Sequence, residues 1–209
     1  MRLIDISWPL SATTTAYKNR YVINFEETKN FEHDGVRETK ITLGAHSGTH
    51  IDAPSHFLKN GKTVDELPLD RCIGKAVVLD VSYCSQYITR DDLLQHDAVI
   101  QKDDIVLLRT KNSDLSSDDT FNVNFVYLKA SAAHYLIEKK VKAVGIDYLG
   151  IERGQPDHVT HTSFMNAGIV IIEGLRLGQV ECGEYTLFCL PLYVVGLEAA
   201  PARAILIKK

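Results

Sequence analysis

Apolar positions along the chain fall mostly in short unbroken runs bounded by turn residues, a pattern of buried strands interrupted by a few helical periods. Residues 3–8 predict a first strand that Pro9 closes, and residues 38–45 alternate well enough for another. Residues 75–81, 105–108, 143–146 and 169–172 are continuous apolar runs of the kind a sheet covered on both faces requires. Residues 186–190 and 204–207 predict the last strands. Helical spacing is clearest over residues 129–140, where Ala130, Ala133, His134, Ile137 and Val141 share a face. Thr89 before Asp91 and Asp92 reads as a helix start, because the hydroxyl caps free amides and the acids suit the positive end. Residues 159–167 predict a short helix. Residues 10–35, polar with scattered aromatics, read as a long excursion or lid. Gly48, Pro54, Gly61 and Pro68 exclude a long helix from residues 46–70. Interleaved strands and helices without repeats predict an α/β fold: one domain, residues 1–209, with a mixed β-sheet and flanking helices.

Composition narrows the class. The 209 residues carry 23 Lys and Arg against 27 Asp and Glu, a formal charge of −4, with no basic run to meet a nucleic acid. No apolar stretch approaches the ~20 residues needed to span a bilayer, and the first residues, with Asp5 among them, lack a secretory pattern. Cys72, Cys84, Cys182 and Cys189 form no C-x-x-C pair and are expected as reduced thiols. These features point to a cytoplasmic protein acting on a small molecule.

The chemistry concentrates in histidines. Three of the eight lie in His46-Ser-Gly-Thr-His50-Ile-Asp52-Ala-Pro-Ser-His56. Imidazole with carboxylate is a ligand set for zinc, manganese or iron. His46 and His50 could share a helical face, but Gly48 and Pro54 favour an irregular loop. In an extended stretch His50 and Asp52 point to the same side. His56, beyond Pro54, is open to two readings: a fourth ligand or a proton shuttle. A second cluster is Asp157-His158-Val-Thr-His161, followed by Glu173 at the end of a strand; a short helix and a returning strand could bring His161 and Glu173 together. Asp147 ends another strand in the same way, as a functional acid or a turn carboxylate. Of the aromatics before the first cluster, Trp8, Tyr17, Tyr21, Phe25 and Phe31, most are expected in core or lid packing and one or two against a pocket. G-x-S-x-G, Walker and dinucleotide glycine patterns are absent.

The pattern H-x-G-T-H-x-D-x-P-x-H resembles that of the cyclase family of metal-dependent hydrolases, which includes bacterial kynurenine formamidase and isatin hydrolase. IDISWPL, TVDELPL, GKAVVLDV, VKAVGIDYLGIE and HTSFMNAGIVIIEGL extend the resemblance over nearly the whole chain. It implies His46, His50 and Asp52 on one metal, with Asp52 bridging to a second that His161 and Glu173 complete, and His56 as the proton-transferring group. Zinc is the ion implied first, one or two per chain, with manganese second. The implied reaction is hydrolysis of an aryl formamide, N-formylkynurenine to kynurenine and formate, in tryptophan catabolism. Alternatives are ring opening of a cyclic amide or lactone, and metal-dependent binding without turnover. The resemblance also implies a homodimer or higher oligomer. The stretch SATTTAYKNRYV lacks the family's P-G-D-like segment, with Tyr17 as the nearest match for a substrate-contacting aromatic, and Thr162 stands where an arginine is usual.

Overall fold

The computed structural model describes residues 2–20 and 23–208, so Tyr21 lies outside the described residues. Among them the elements run β1 (Arg2–Asp5), β2 (Asn24–Lys29), α1 (Phe31–Asp34), β3 (Glu38–Thr42), β4 (His50–Asp52), β5 (Ile73–Asp80), β6 (Tyr87–Ile88), α2 (Arg90–Leu94), β7 (Ile105–Arg109), β8 (Tyr127–Leu128), α3 (Ala130–Glu138), β9 (Ala143–Ile146), α4 (Val159–Asn166), β10 (Val170–Glu173), β11 (Gly183–Pro191) and β12 (Ala199–Lys208), joined in places by 3-10 turns. Thr89 caps α2 as its sequence suggests: its hydroxyl accepts from the Asp92 amide, and the Asp92 carboxylate accepts from the Thr89 amide at 2.7 Å.

The mixed sheet is present, and it closes on itself. Its order is β1-β12-β11-β5-β7-β9-β10-β4, and β4 pairs back onto β12. Strands β5, β7, β9 and β10 are successively parallel, with α2, α3 and α4 lying in the crossovers; the remaining pairings are antiparallel. Closure depends on the length of β12. Its start, Ala199–Pro201, pairs with β4, while its end pairs with β1. Only residues 204–207 carry a strand signal in the sequence, because Pro201 and three alanines argue against one.

Alternation sorts the strand side chains into two layers. Ile51, Val78, Leu107, Ile172, Leu187 and Leu206 fill the barrel. Val77, Leu79, Val106, Leu108, Ile146 and Ile171 face outward, where Leu93, Leu136 and Phe164 of the helices cover them. Burial on both faces explains the continuous apolar runs.

The excursion at residues 10–35 carries β2 and α1, and the strand expected at 38–45 is present as β3, outside the main sheet. Strands β2 and β3 form a separate hairpin around α1, with every strand residue exposed. Its aromatics Phe25 and Phe31 are 42% and 62% exposed, so they are not core packing. Trp8, by contrast, is buried with Phe121, Phe125, Tyr148 and Leu149. The four cysteines are free thiols, and burial pushes Cys72 up to about 11 and Cys84 up to about 12, which removes them as nucleophiles.

Asp147 is a clamp. Its carboxylate accepts from the Thr110 amide (2.7 Å), the Thr110 hydroxyl (2.8 Å) and the Ser113 hydroxyl (2.6 Å), tying the end of β9 to the turn after β7. Burial pushes this carboxyl up to about 6 against the pull of those hydrogen bonds. A carboxyl raised on folding contributes stability at low pH that is lost as pH rises through the folded value. Urea denaturation of wild type and Asp147→Asn should therefore diverge with pH. The wild-type advantage should be larger near pH 4 than near pH 6.5; a constant difference would show that the carboxyl is ionised throughout. Gly174 has φ +70°, and a Cβ there would lie 2.3 Å from the Gly48 carbonyl oxygen. Gly174→Ala should cost about 1–3 kcal/mol in the same assay.

Candidate active site

The site lies on the outer face of the barrel, where β4 is wedged between β10 and β12. Extended backbone sends Ile51 into the barrel and His50 and Asp52 outward. In the antiparallel register His50 stands opposite Glu173, so their side chains share that outer face. His50 Nε2 is 3.4 Å from Glu173 Oε2 and 3.5 Å from Asp52 Oδ1. His46 arrives from the turn before β4, which Gly48 enters at φ +59°. That turn is pinned by Thr49, whose hydroxyl accepts from the Trp8 amide at 2.7 Å and donates to the Gly174 carbonyl. His46 Nδ1 reaches 3.0 Å from Asp52 Oδ1. Helix α4 supplies His161, with Nε2 3.5 Å from Asp52 Oδ2 and 3.3 Å from Glu173 Oε1.

Two donor groups result, each compact enough for a single ion: His46, His50 and Asp52, and Asp52, His161 and Glu173. Asp52 belongs to both and turns one oxygen to each. Burial tests whether these groups fit a metal. Both Asp52 oxygens and His50 Nε2 are buried without a hydrogen-bond partner, an arrangement that is costly unless a cation satisfies it. Of the nitrogens pointing away, only His50 Nδ1 is hydrogen-bonded, at 2.9 Å from the Gly48 carbonyl, which fixes the tautomer that leaves Nε2 free for a metal. His161 Nδ1 lies 3.2 Å from Glu152 Oε2 and His46 Nε2 3.4 Å from Glu198 Oε1, close to a carboxylate but without a hydrogen bond. Nitrogen and oxygen donors without thiolate fit a divalent ion such as zinc, manganese or iron.

The electrostatics carry the same signature. Burial alone would raise the Asp52 carboxyl, yet the His161, His46 and His50 imidazoles lying against it hold it well below the carboxylate range. Burial and the neighbouring Asp52 charge work to raise Glu173, and His161 and His50 overcome them, bringing it to about 2. Burial opposes the charge on His161, but Asp52, Glu152 and Glu173 push it well above the usual imidazole value.

His56 stands on the 3-10 turn Pro54–His56, outside both donor groups. Its ring centroid is 4.3 Å from that of His46 and 6.1 Å from that of His161. Burial, aided by the neighbouring imidazoles, lowers its pKa despite the pull of Asp52, so it is neutral near pH 7 with a lone pair to offer. A cavity of about 450 Å³ opens over these groups, lined also by Tyr17, Phe57, Leu149 and His158; that size suits a small molecule.

Two residues at the site, Glu152 and Glu198, carried no signal of their own and reach it through tertiary loops, while His158 belongs to the second histidine cluster. Glu152 accepts from the Thr160 and His161 amides at 3.1 and 3.2 Å, holding the start of α4, and His158 Nδ1 lies 2.6 Å from its other oxygen. A buried acid between two clustered histidines was the available clue, legible only once α4 is placed.

Residues 4–153 match the Cyclase family model, described as "Putative cyclase". A kynurenine formamidase of Salinibacter ruber is 34% identical over 209 residues, covering 99% of this chain and 97% of that protein. Cyclase-like protein 1 of Arabidopsis thaliana is 37% identical over 190 residues, covering 86% and 72%. A solved structure titled as a predicted metal-dependent hydrolase from Bacillus stearothermophilus superposes with a TM-score of 0.86 at 39% identity, covering 98% of this chain and 97% of that one. Isatin hydrolase A from Labrenzia aggregata shares the fold, with a TM-score of 0.87 at 24% identity over 100% and 94% of the chains. With the match spanning most of the chain and the two donor groups in place, the protein belongs to the cyclase family of metal-dependent hydrolases.

Proposed function

We propose that the protein hydrolyses the formamide of a small aromatic metabolite, N-formylkynurenine in tryptophan catabolism, releasing kynurenine and formate. The observation that carries this reading is the pair of donor groups sharing Asp52, with His56 beside them and outside both. The 34% identity to the Salinibacter kynurenine formamidase, over an alignment covering 99% of the chain, supports the substrate.

In this reading His46, His50 and Asp52 would hold one divalent ion, and Asp52, His161 and Glu173 would hold a second. When bound, such an ion supplies a Lewis acid that polarises the scissile carbonyl and lowers the pKa of water. Asp52 and Glu173 balance its charge. The Gly48 carbonyl keeps His50 in the binding tautomer, and the Glu152 and Glu198 carboxylates stand against His161 and His46. His56, neutral at working pH, takes a proton from the attacking water as the C–O bond forms. It returns that proton to the leaving nitrogen as the C–N bond breaks, so the amine departs neutral. Such acid–base help contributes ~10²–10⁴-fold. Tyr17 forms a wall of the cavity against the substrate ring. Zinc is the proposed ion, with manganese next, in one domain spanning residues 1–209 that works as a cytoplasmic homodimer.

Elemental analysis of protein purified without added metal, with turnover of N-formylkynurenine and isatin, tests the reading. Zinc with formamide hydrolysis supports it; turnover of isatin alone would assign ring opening instead, and full activity after chelation would end the metal mechanism. His50→Ala should lose both ion and turnover. His56→Ala should retain the ion while kcat falls ~10²–10⁴-fold; loss of the ion would make His56 a ligand. Glu152→Gln should weaken metal affinity or activity ~10–100-fold through His161, seen as a higher free-metal concentration at half-activation.

A further inference from the structure

We propose that Lys18 and Arg20 form a cationic rim that selects an anionic substrate, holding a carboxylate at the end remote from the scissile amide. This rests on the hydrolase reading above and adds the feature of the substrate that the donor groups do not specify. Both residues line the cavity. Among the described residues neither makes an ion pair. The acids that share the lining do not neutralise them: Glu152 and Glu173 are both engaged by histidines. The outer part of the cavity therefore carries two positive charges that no carboxylate of the described residues pairs. A ligand with a reactive amide at one end and a carboxylate at the other matches this polarity.

The segment bearing the two cations is built into place. The Tyr17 ring packs edge-on against Phe121 with centroids 4.9 Å apart, and Gly150 leaves room for it, since a Cβ there would lie 3.3 Å from the ring. The Asn19 side chain accepts from the Phe121 amide at 3.1 Å. Lys18 and Asn19 both adopt left-handed backbone, at φ 52° and 55°. For lysine that conformation is strained, and strain held by surrounding contacts is characteristic of segments that place functional groups. The Lys18 ammonium rests 5.2 Å from the Tyr17 ring centroid, which keeps it at the cavity wall.

The test separates charge selection from catalysis. On zinc-loaded protein at low ionic strength, calorimetry compares 2-, 3- and 4-aminobenzoate with aniline, and kinetics compares the matching formamidobenzoates with formanilide. At least one carboxylate isomer should be favoured about tenfold or more in both series, with the preference shrinking as salt screens it. In the Lys18→Met/Arg20→Met double variant the anionic-to-neutral ratio should fall to about twofold or less, and Lys18→Arg with Arg20→Lys should restore it. No preference for any aminobenzoate in wild type would overturn the rim. So would a preference that survives the Met substitutions, which would place the carboxylate on the metal. If no formamide is turned over yet binding still follows the rim charges, the rim stands and the formamidase reading fails.

Discussion

Asp52 is a carboxylate buried in the barrel wall with neither oxygen hydrogen-bonded. Burying a charge in this way costs several kcal/mol unless positive charge lies against it. The surrounding residues are arranged around that requirement. One oxygen faces His46 and His50, the other faces His161, and Glu173 adds a second buried anion alongside. A cluster with two buried carboxylates and three imidazoles is costly to leave with protons as its only cations. It is well matched to divalent charge, and the Gly48 carbonyl fixes the His50 ring while carboxylates lie behind His46 and His161.

Closure of the barrel is what brings this cluster together. Two antiparallel registers hold β4, with β10 on one side and β12 on the other. The same alternation that sends Ile51 into the barrel sends His50 and Asp52 to the helix side, where α4 delivers His161. Core packing and site assembly are consequences of one pleat, and a slip of one residue in β4 would exchange them. The loop between His46 and His50 is secured separately, by Thr49 bridging Trp8 and Gly174.

The legible parts of the chain are those where local pattern and tertiary role coincide. Strands β5, β7, β9 and β10 show as apolar runs because both their faces are covered. His46, His50 and Asp52 show because their donors converge within seven positions of a single segment. Glu173 and His161 are separated by a helix and a turn, short enough for the return to be anticipated. Closure through Ala199–Pro201 is hidden because small residues and a proline signal no strand, and they pair there only because β4 needs a second neighbour. Of the hairpin, β3 shows as the alternation over residues 38–45, while β2 is hidden because its residues are all exposed and carry no burial pattern. Glu152 and Glu198 act through contacts that no spacing encodes.

The two-sided support of β4 also sets an order of events during synthesis. Chains emerge from the N-terminal end, so His50, Ile51 and Asp52 leave the ribosome about 150 residues before the segment that flanks them at Ala199–Pro201. Every donor of the two groups, from residue 46 to residue 173, is therefore translated before the segment that seals the seam beside β4.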